Sequence, residues 1–270
     1  MTTLSAGDDP QMTVVKSVMV SPRNPARGLP GIEGAILLQS SETGRVLALM
    51  EAGWVTAVRT AGLSTVAARQ LADPASRHVA FIGAGVQARS HLDAFAVSFP
   101  LERISVYSRG AANIERLCAH ARDKGLEAQA CDSPQAALEE ADLAVSSVTL
   151  SFGMEPFLDA RWLKPGAFAA ITDAAVPWVP DSMTAFGPVC IDDLEQEKGS
   201  ANPMIDLALV GGDLGGLVTG RTPLARDPGR PGAFAFRGLG IGDFAIACLA
   251  YERAQTDGLG TRAAWGERYG

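Results

Sequence analysis

The most constraining feature of this chain is a glycine turn between a buried-strand pattern and a helix pattern, Gly83-Ala84-Gly85-Val86-Gln87-Ala88. In this G-x-G-x-x-A arrangement Gly83 allows the tight turn, Gly85 lets the backbone approach a pyrophosphate, and Ala88 lets the helix pack closely on the strand. Val86 and Gln87 then supply first-turn amides that carry phosphate charge. The turn predicts a dinucleotide site in a Rossmann-type unit, and the alternative is a tight turn that binds nothing.

The residues around this turn alternate between short apolar runs and helical patterns of 10–15 residues, which is typical of a doubly wound parallel sheet. Six strands are predicted: HVAFIG, RISVYS, EAQAC, LAVSSVT, AFAAIT and PVCIDD. After Asp193 the pattern weakens, and the glycine-rich LVGGDLGG is predicted to be loop. A closing helix is predicted to begin after Gly240 or Gly242.

The two ends of the chain lie outside this alternating series. Residues 13–54 read as strands separated by turns, and a small-residue helix follows, ending near Ala72 before Asp73-Pro74. The predicted fold class is therefore α/β, with a second α+β dimerisation and substrate domain made from both chain ends. The predicted domains are 1–72 with 226–270, and a dinucleotide-binding domain over 73–225.

Composition excludes several classes of function. Thirty acidic against 23 basic residues leave a net charge of −7, which disfavours nucleic-acid binding and adsorption to anionic membranes. No apolar run approaches the roughly 20 residues that span a bilayer, and the first residues show no secretory pattern. The four cysteines fit neither a zinc site nor a disulfide framework. We expect a cytoplasmic protein that acts on small molecules and binds no metal.

The end of the second Rossmann strand indicates which dinucleotide binds. NAD sites place a carboxylate there for the ribose 2′-hydroxyl, whereas this chain has Ser108 and Arg109. A hydroxyl and a guanidinium suit a 2′-phosphate, so NADP(H) is favoured over NAD(H). Thr149, at the end of the fourth strand, is a further cofactor-binding candidate.

Two basic residues are candidates for substrate chemistry. Lys16 shares a strand face with Val14 and Val18, and burial there would lower its pKa and make it a usable acid. Arg59 lies among small helix residues that would let a ligand approach closely. The alternatives are an edge-strand lysine and a structural salt bridge.

Among the acidic residues and histidines, one residue is a catalytic candidate and the others singled out are expected to be structural. Asp173 follows the carboxyl end of the fifth strand, where ligands bind in open α/β sheets, and is a catalytic candidate. Asp243 is expected to charge the first turn of the last helix rather than take part in chemistry. The histidines at 78, 91 and 120 form no cluster in sequence and are expected to be structural.

Thr56-Ala57-Val58-Arg59-Thr60-Ala61 together with GAGVQA resembles the ornithine cyclodeaminase/mu-crystallin family. The likeness continues in Lys16, in Trp162-Leu163-Lys164-Pro165-Gly166 and in the closing helix. It implies an NADP- or NAD-dependent oxidoreductase, a homodimer formed through the domain built from both ends, Lys16 as the active-site lysine and Arg59 as the ligand of the substrate carboxylate.

The chain also departs from the family pattern. From the resemblance we expect no counterpart here of an N-terminal segment that supplies another substrate-binding arginine in the family. We also expect the cyclodeaminase catalytic aspartate to fall on Ala175 when counted from Gly166. Arg237, beside glycines before the closing helix, could hold the carboxylate instead; its alternative is a surface salt bridge. These observations favour an NADPH-dependent imino-acid reductase or amino-acid dehydrogenase. A cyclodeaminase-type ammonia-lyase and a non-catalytic NADP-dependent ligand-binding protein remain alternatives.

Overall fold

Segments from opposite ends of the chain fold together in the computed structural model, which describes residues 1–21, 23–151 and 153–263. One unit, called here the terminal unit, comprises Met1–Arg59 and the described part of Gly240–Gly270, and the central unit is Thr60–Leu239. The proposed domain boundaries at 72/73 and 225/226 lie 13 and 14 residues from these two divisions, and as functional boundaries they stay a prediction.

The terminal unit is built on an antiparallel sheet. Over its described residues the strands follow the order β1-β2-β3-β4, and they are β1 (Thr2–Asp8), β2 (Gln11–Val20), β3 (Ile32–Ser40) and β4 (Val46–Glu51). The helix α1 (Ala52–Leu71) begins in this unit, and the closing helix is Gly240–Asp257. Both predicted helices therefore exist, although the long one begins slightly earlier than expected.

One face of this sheet is apolar because its strands alternate with a period of two. Val14, Val18, Ile36 and Leu38 are buried and pack with Phe244 and neighbouring residues of the closing helix. Lys16 shares this inward face, as its register opposite Ile36 requires.

The central unit is built on a parallel sheet, and the predicted doubly wound α/β class is confirmed. In the described residues its eight strands are β5 (His78–Ile82), β6 (Arg103–Tyr107), β7 (Glu127–Ala130), β8 (Leu143–Ser146), β9 (Phe168–Ile171), β10 (Val189–Ile191), β11 (Val210–Asp213) and β12 (Gly232–Ala235). Their order is β11-β10-β12-β9-β8-β5-β6-β7.

Helices cover both faces of this sheet. The longer ones are α2 (Val86–Ser98) and α3 (Ala111–Asp123), and the short ones are α4 (Pro134–Leu138), α5 (Leu194–Lys198) and α6 (Leu214–Val218). The closing helix, numbered α7, belongs to the terminal unit. Alternate residues of β5 enter different cores, since Val79 and Phe81 join one apolar cluster and Ala80 and Ile82 join the other. A strand buried on both faces reads as a continuous apolar run, which is why HVAFI was recognised as a strand.

The sequence analysis missed four elements: β1, β11, α6 and β12. The segment LVGGDLGG was predicted to be loop, but it forms β11 and α6, and β12 lies between β9 and β10 in a region expected to be irregular. Glycine disfavours strands locally, yet a Cβ at Gly212 would stand 2.3 Å from the Thr222 side chain. Close tertiary packing therefore selects glycine there. The polar strand β1 was missed because it carries no apolar run.

No helix within the described residues is long and apolar enough to cross a membrane.

Candidate functional site

The glycine turn lies at the carboxyl end of β5, where the strand order reverses between β6 on one side and β8 on the other. Gly83 has φ +99°, and a Cβ built on it would lie 2.7 Å from the Ser147 carbonyl oxygen. Only glycine fits this close crossing with the loop that follows β8. The turn therefore occupies the switch point at which open α/β sheets bind ligands.

The residues around this turn fit a dinucleotide pyrophosphate. Gly85 is the N-cap of α2, and among described residues no side chain caps this end of the helix. A Cβ at Gly85 would meet nothing within 4 Å, so the backbone there faces open space. The Gln87 Oε1 and Ser147 Oγ atoms are buried without a hydrogen-bond partner in the described structure. First-turn amides and the Ser147 hydroxyl can donate the hydrogen bonds that a bound phosphate group needs, whereas Gln87 Oε1 can only accept one.

The neighbouring strand brings Ser108 and Arg109, the residues predicted to select the dinucleotide, to the same edge. The Gly83 N–H donates to the Tyr107 carbonyl at 2.9 Å, so the end of β6 is held against the glycine turn. Ser108 is half-buried and Arg109 is exposed immediately after that strand. Thr149 lies exposed in the loop after β8. The predicted cofactor residues thus gather along one edge of the parallel sheet.

In the terminal unit, Lys16 and Arg59 converge on a carboxylate that the sequence analysis had set aside. The Lys16 Nζ lies 2.6 Å from Asp243 Oδ1, and Arg59 Nε lies 3.1 Å from the same oxygen. The Thr3 hydroxyl donates to Asp243 Oδ2 at 3.0 Å. All three charged side chains are buried, with exposed fractions of 0% for Lys16, 4% for Arg59 and 1% for Asp243.

The environment of Lys16 pulls its pKa in two directions. Burial lowers the pKa of Lys16 most strongly, the Arg59 cation lowers it further, and the Asp243 carboxylate opposes both. The pKa lies below its ordinary value, as expected for a lysine that gives up a proton readily. Lys16 is buried on its strand face, as expected, and has no exposed surface.

The expected place of Asp243 in the last helix is confirmed, and whether it takes part in the chemistry stays a prediction. The residue does lie in the first turn of α7, but its carboxylate is buried against two cations rather than turned to solvent. A signal was present, because Asp243 is a lone acid in the otherwise apolar run GIGDFAIACLA. Buried charges are retained in such runs only when they are paired.

Asp173 is buried in a hydrogen-bond network of the central unit. Its Oδ1 accepts from the Ser146 hydroxyl at 3.0 Å, and its Oδ2 accepts from the Val148 N–H at 3.1 Å. Burial raises the pKa of Asp173 to about 6. In this geometry the carboxylate fixes the start of the loop that carries Thr149, and a direct catalytic role for Asp173 stays a prediction.

Arg237 is held by a carboxylate of its own chain. Its Nε and Nη2 donate to Glu197 at 2.9 and 3.1 Å, and Nη2 also donates to the Asn202 carbonyl at 2.8 Å. The Asp192 carboxylate accepts from the backbone N–H groups of Arg237 and Gly238. A substrate carboxylate would compete with Glu197 for this guanidinium, so substrate binding by Arg237 stays a prediction.

The histidines make structural contacts. His91 is fully buried, with its ring nitrogens 2.8 Å from the Gln87 carbonyl and 2.9 Å from the Ser64 hydroxyl. His78 contacts Ser105, and His120 contacts Asp93. Within the described ranges, no group of three or more His, Cys, Asp or Glu side chains is arranged to hold a metal ion.

A Rossmann-type central unit with an intact pyrophosphate turn, and a terminal unit with a buried lysine–aspartate–arginine cluster, define a dinucleotide-dependent protein. The model of the ornithine cyclodeaminase/mu-crystallin family matches residues 1–258. The chain belongs to this family, and the resemblance seen in its motifs is confirmed.

The relatives include reductases and dehydrogenases as well as cyclodeaminases. The chain is 28% identical to ketimine reductase mu-crystallin of Mus musculus over 93% of its own length and 79% of that protein. It is 29% identical to alanine dehydrogenase of Archaeoglobus fulgidus, over 92% and 79% respectively. The structure of Thermococcus litoralis Δ1-pyrroline-2-carboxylate reductase in complex with NADH and L-proline aligns with a TM-score of 0.85 at 26% identity, covering 97% of this chain and 88% of that one. The predicted class, an oxidoreductase of this family, is confirmed.

Proposed function

We propose that this protein is an NAD(P)H-dependent reductase of small imino acids, able to act in reverse as an amino-acid dehydrogenase. The observation that carries the proposal is the buried cluster in which Lys16 and Arg59 meet Asp243. A proton donor and a carboxylate-binding cation are the two groups that reduction of an imino acid requires from the protein. The reductase and dehydrogenase names of the relatives support the same reaction class.

The cofactor, when bound, supplies hydride to the C=N carbon, and the protein supplies orientation and electrostatics. We propose that Gly83, Gly85, Val86, Gln87 and Ala88 hold its pyrophosphate, with Thr149 on the neighbouring loop. Placement of Ser108 and Arg109 after β6 supports a preference for NADP(H), because neither residue offers the carboxylate that holds a free ribose 2′-hydroxyl.

Lys16 is the proposed proton donor to the substrate nitrogen. Its lowered pKa makes proton release easier, and Asp243 fixes the ammonium within 2.6 Å of a single carboxylate oxygen. Arg59 is the proposed ligand of the substrate carboxylate, since a guanidinium binds carboxylates with directed hydrogen bonds.

The two remaining site candidates, Asp173 and Arg237, are proposed to have different roles. Asp173 holds the loop after β8 through its hydrogen bond with Val148, so we propose that it positions this loop first and takes part in the reaction second. Arg237 contributes to substrate binding only where the substrate displaces Glu197 from the guanidinium.

A homodimer through the terminal unit is also proposed. The outward face of its sheet carries a cross-strand row of apolar side chains, in register from strand to strand: Leu4, Val15, Leu37 and Leu49. Leu4 and Leu49 are strongly exposed. An exposed apolar face of this kind is typical of a surface that a partner covers, and a two-fold axis would place the same row against itself.

The function is tested by following NADPH oxidation with cyclic imino acids, and with 2-oxo acids mixed with ammonia or methylamine. We expect turnover of at least one imino acid at ordinary enzymatic rates, about 1 s⁻¹ or faster. Ammonia release from L-ornithine with no net change in cofactor would instead identify a lyase. Tight NADPH binding with no turnover of any imine would identify a ligand-binding protein.

A further inference from the structure

In the terminal unit, the first strand lays a face of small and polar residues against the start of the closing helix. This face of β1 comprises Thr3, Ser5 and Gly7, which are less exposed than the residues between them. A Cβ at Gly240 would lie 2.3 Å from Ser5 Oγ, and a Cβ at Gly7 would lie 2.5 Å from the Phe244 ring. The strand therefore approaches the first turns of α7 closely enough for a short hydroxyl side chain to reach them.

Thr3 lies directly opposite Lys16 in the antiparallel pairing of β1 with β2. Opposite residues of such a pair share a face of the sheet and place their Cβ atoms about 4.5–5.5 Å apart. The Thr3 hydroxyl donates to Asp243 Oδ2 at 3.0 Å, while the Lys16 ammonium donates to Oδ1 at 2.6 Å. Thr3 thus contacts, from the neighbouring strand, the same carboxylate that pairs with Lys16.

The Asp243 carboxylate receives its partners on separate oxygens. Oδ1 forms salt bridges with Lys16 and Arg59, and Oδ2 accepts the hydrogen bond from Thr3. The last side-chain torsion of an aspartate is broad and nearly two-fold, so contacts at one oxygen alone leave the carboxylate able to turn. A hydroxyl donor on the second oxygen restricts that rotation, and threonine supplies one hydrogen for this purpose.

Proton donation by Lys16 depends on where its ammonium is held. A general acid must lie within about 2.6–3.2 Å of the atom that it protonates, and a misplacement of about 1 Å can lower a rate about 100-fold. The lysine side chain is a flexible four-carbon stem, and its end is fixed here by Asp243. A carboxylate that turns would move the ammonium with it.

We propose that Thr3 is a positioning residue of this site: its hydroxyl fixes the rotation of the Asp243 carboxylate, so that Oδ1 stays on the Lys16 ammonium. The proposal rests on the proposed function, in which Lys16 donates a proton to the substrate nitrogen. The alternative is a structural role, in which Thr3 only helps β1 to pack on α7. Ser5 separates the two, because its Oγ is buried on the same face and has no hydrogen-bond partner among the described residues.

The first test measures kcat of the NADPH-loaded enzyme with the imino acid that the wild type reduces fastest. Thr3→Val keeps the shape of the side chain and removes the hydroxyl, so it should lower kcat by about 10–100-fold. Thr3→Ser restores the donor and should recover most of the wild-type kcat. Ser5→Ala is the matched control and should keep it. Wild-type kcat in Thr3→Val, a loss that Thr3→Ser does not recover, or an equal loss in Ser5→Ala would overturn the proposal.

A double-mutant cycle on the same enzyme tests whether Thr3 acts through Asp243. Thr3→Val should lower kcat much less in an Asp243→Asn background than in the wild type, because the carboxylate that Thr3 orients is then absent. The same fold-change in both backgrounds would show that the two residues act independently. That result would overturn the positioning role.

The second test measures the pKa of Lys16 by NMR of protein that carries ¹³C-labelled lysine, independently of turnover, and Lys16→Met identifies the signal. Arg59 lowers this pKa and Asp243 raises it, so a carboxylate that turns away should leave it lower. We therefore expect a lower Lys16 pKa in Thr3→Val, or in Thr3→Ala where Thr3→Val does not fold, and the wild-type pKa in Ser5→Ala. An unchanged pKa in the folded Thr3 variant would overturn the proposal. Absence of NADPH oxidation with every imine would refute the proposed function, and the Lys16 pKa would still decide whether Thr3 orients Asp243.

Discussion

A lysine without exposed surface stays charged only if protein groups replace the water that it has lost. Asp243 replaces that water for Lys16, because its Oδ1 lies 2.6 Å from the Lys16 ammonium. The same oxygen also forms a salt bridge with Arg59. Removing one partner of a buried pair leaves an uncompensated charge, which typically costs about 3–5 kcal/mol. At the scale of single residues, the site therefore depends as much on the carboxylate as on the two cations that were expected to act.

Lys16→Met should lower kcat by about 10²–10⁴ while NADPH affinity, measured by fluorescence titration, remains. Asp243→Asn removes the group that raises the Lys16 pKa, so the alkaline limb of the rate profile should move to lower pH. The measurement is kcat against pH for both variants. Wild-type turnover in Lys16→Met would remove this residue from the mechanism.

Two buried groups of the central unit should make stability depend on pH in opposite directions. Burial lowers the pKa of His91 to about 4, below the unfolded value of 6.5, so its contribution is present above 6.5 and lost as pH falls to 4. Burial raises the pKa of Asp173 from 3.8 to about 6, so its contribution is present below 3.8 and lost as pH rises to 6. Between about pH 4 and pH 6 the two contributions change the free energy of unfolding in opposite directions with pH and partly cancel.

Urea unfolding of the variants at pH 7 and pH 5 separates these contributions. Acidification from pH 7 to pH 5 should lower the free energy of unfolding by about 2 kcal/mol through His91 and raise it by about 1 kcal/mol through Asp173. Asp173→Asn should therefore lose more stability on acidification than wild type does, and His91→Gln should lose less. Identical pH dependence in all three proteins would show that these groups titrate alike in the folded and unfolded chains. Asp206→Asn, at an exposed position, is the control.

At the scale of elements, three strand ends of the parallel sheet carry different parts of the proposed cofactor site. The end of β5 supplies the pyrophosphate turn, the end of β6 supplies Ser108 and Arg109, and the end of β8 supplies the loop with Thr149. The Gly83–Tyr107 and Ser147–Ile82 backbone hydrogen bonds, both 2.9 Å, tie these three ends together. Selectivity for the dinucleotide should therefore reside in a short segment that can be changed without disturbing the turn.

NADPH should bind at least about tenfold more tightly than NADH, which is about 1.4 kcal/mol. Arg109→Ala should reduce this difference in affinity by weakening the binding of NADPH alone, because only NADPH carries a 2′-phosphate. Arg103→Ala, at the exposed opposite end of the same strand, is the matched control. Titrations in which the wild type binds both nucleotides equally would refute the preference.

At the scale of the whole molecule, the outward sheet face of the terminal unit is proposed to pair with a second copy. Leu49 is 73% exposed at the β4 end of the cross-strand apolar row. Leu49→Lys would place a charge in that interface, while an isolated folded chain would tolerate it. Sedimentation should therefore show a monomer for Leu49→Lys, and a dimer for the wild type and for Val97→Lys, at an exposed position on α2. A monomeric wild type would refute the dimer.

The sequence by itself determined the family, the doubly wound sheet and the position of the pyrophosphate turn. These rest on local signals: a continuous apolar run marks a strand buried on both faces, and glycine at 83 marks a turn that no other residue fits. Lys16 was identified in the same way, because a period of two places it on the face of Val14 and Val18.

Only the tertiary structure decided what surrounds those residues. The separation along the chain between Lys16 and Asp243 is 227 residues, and no local pattern reports that they share a buried ion pair. The carboxylate partner of Arg237 is equally non-local. The strand β11 forms because the neighbouring strand β10 supplies its hydrogen bonds, although its own glycine-rich residues favour loop. Strand pairing and charge pairing depend on which distant segments meet, and the fold decides that.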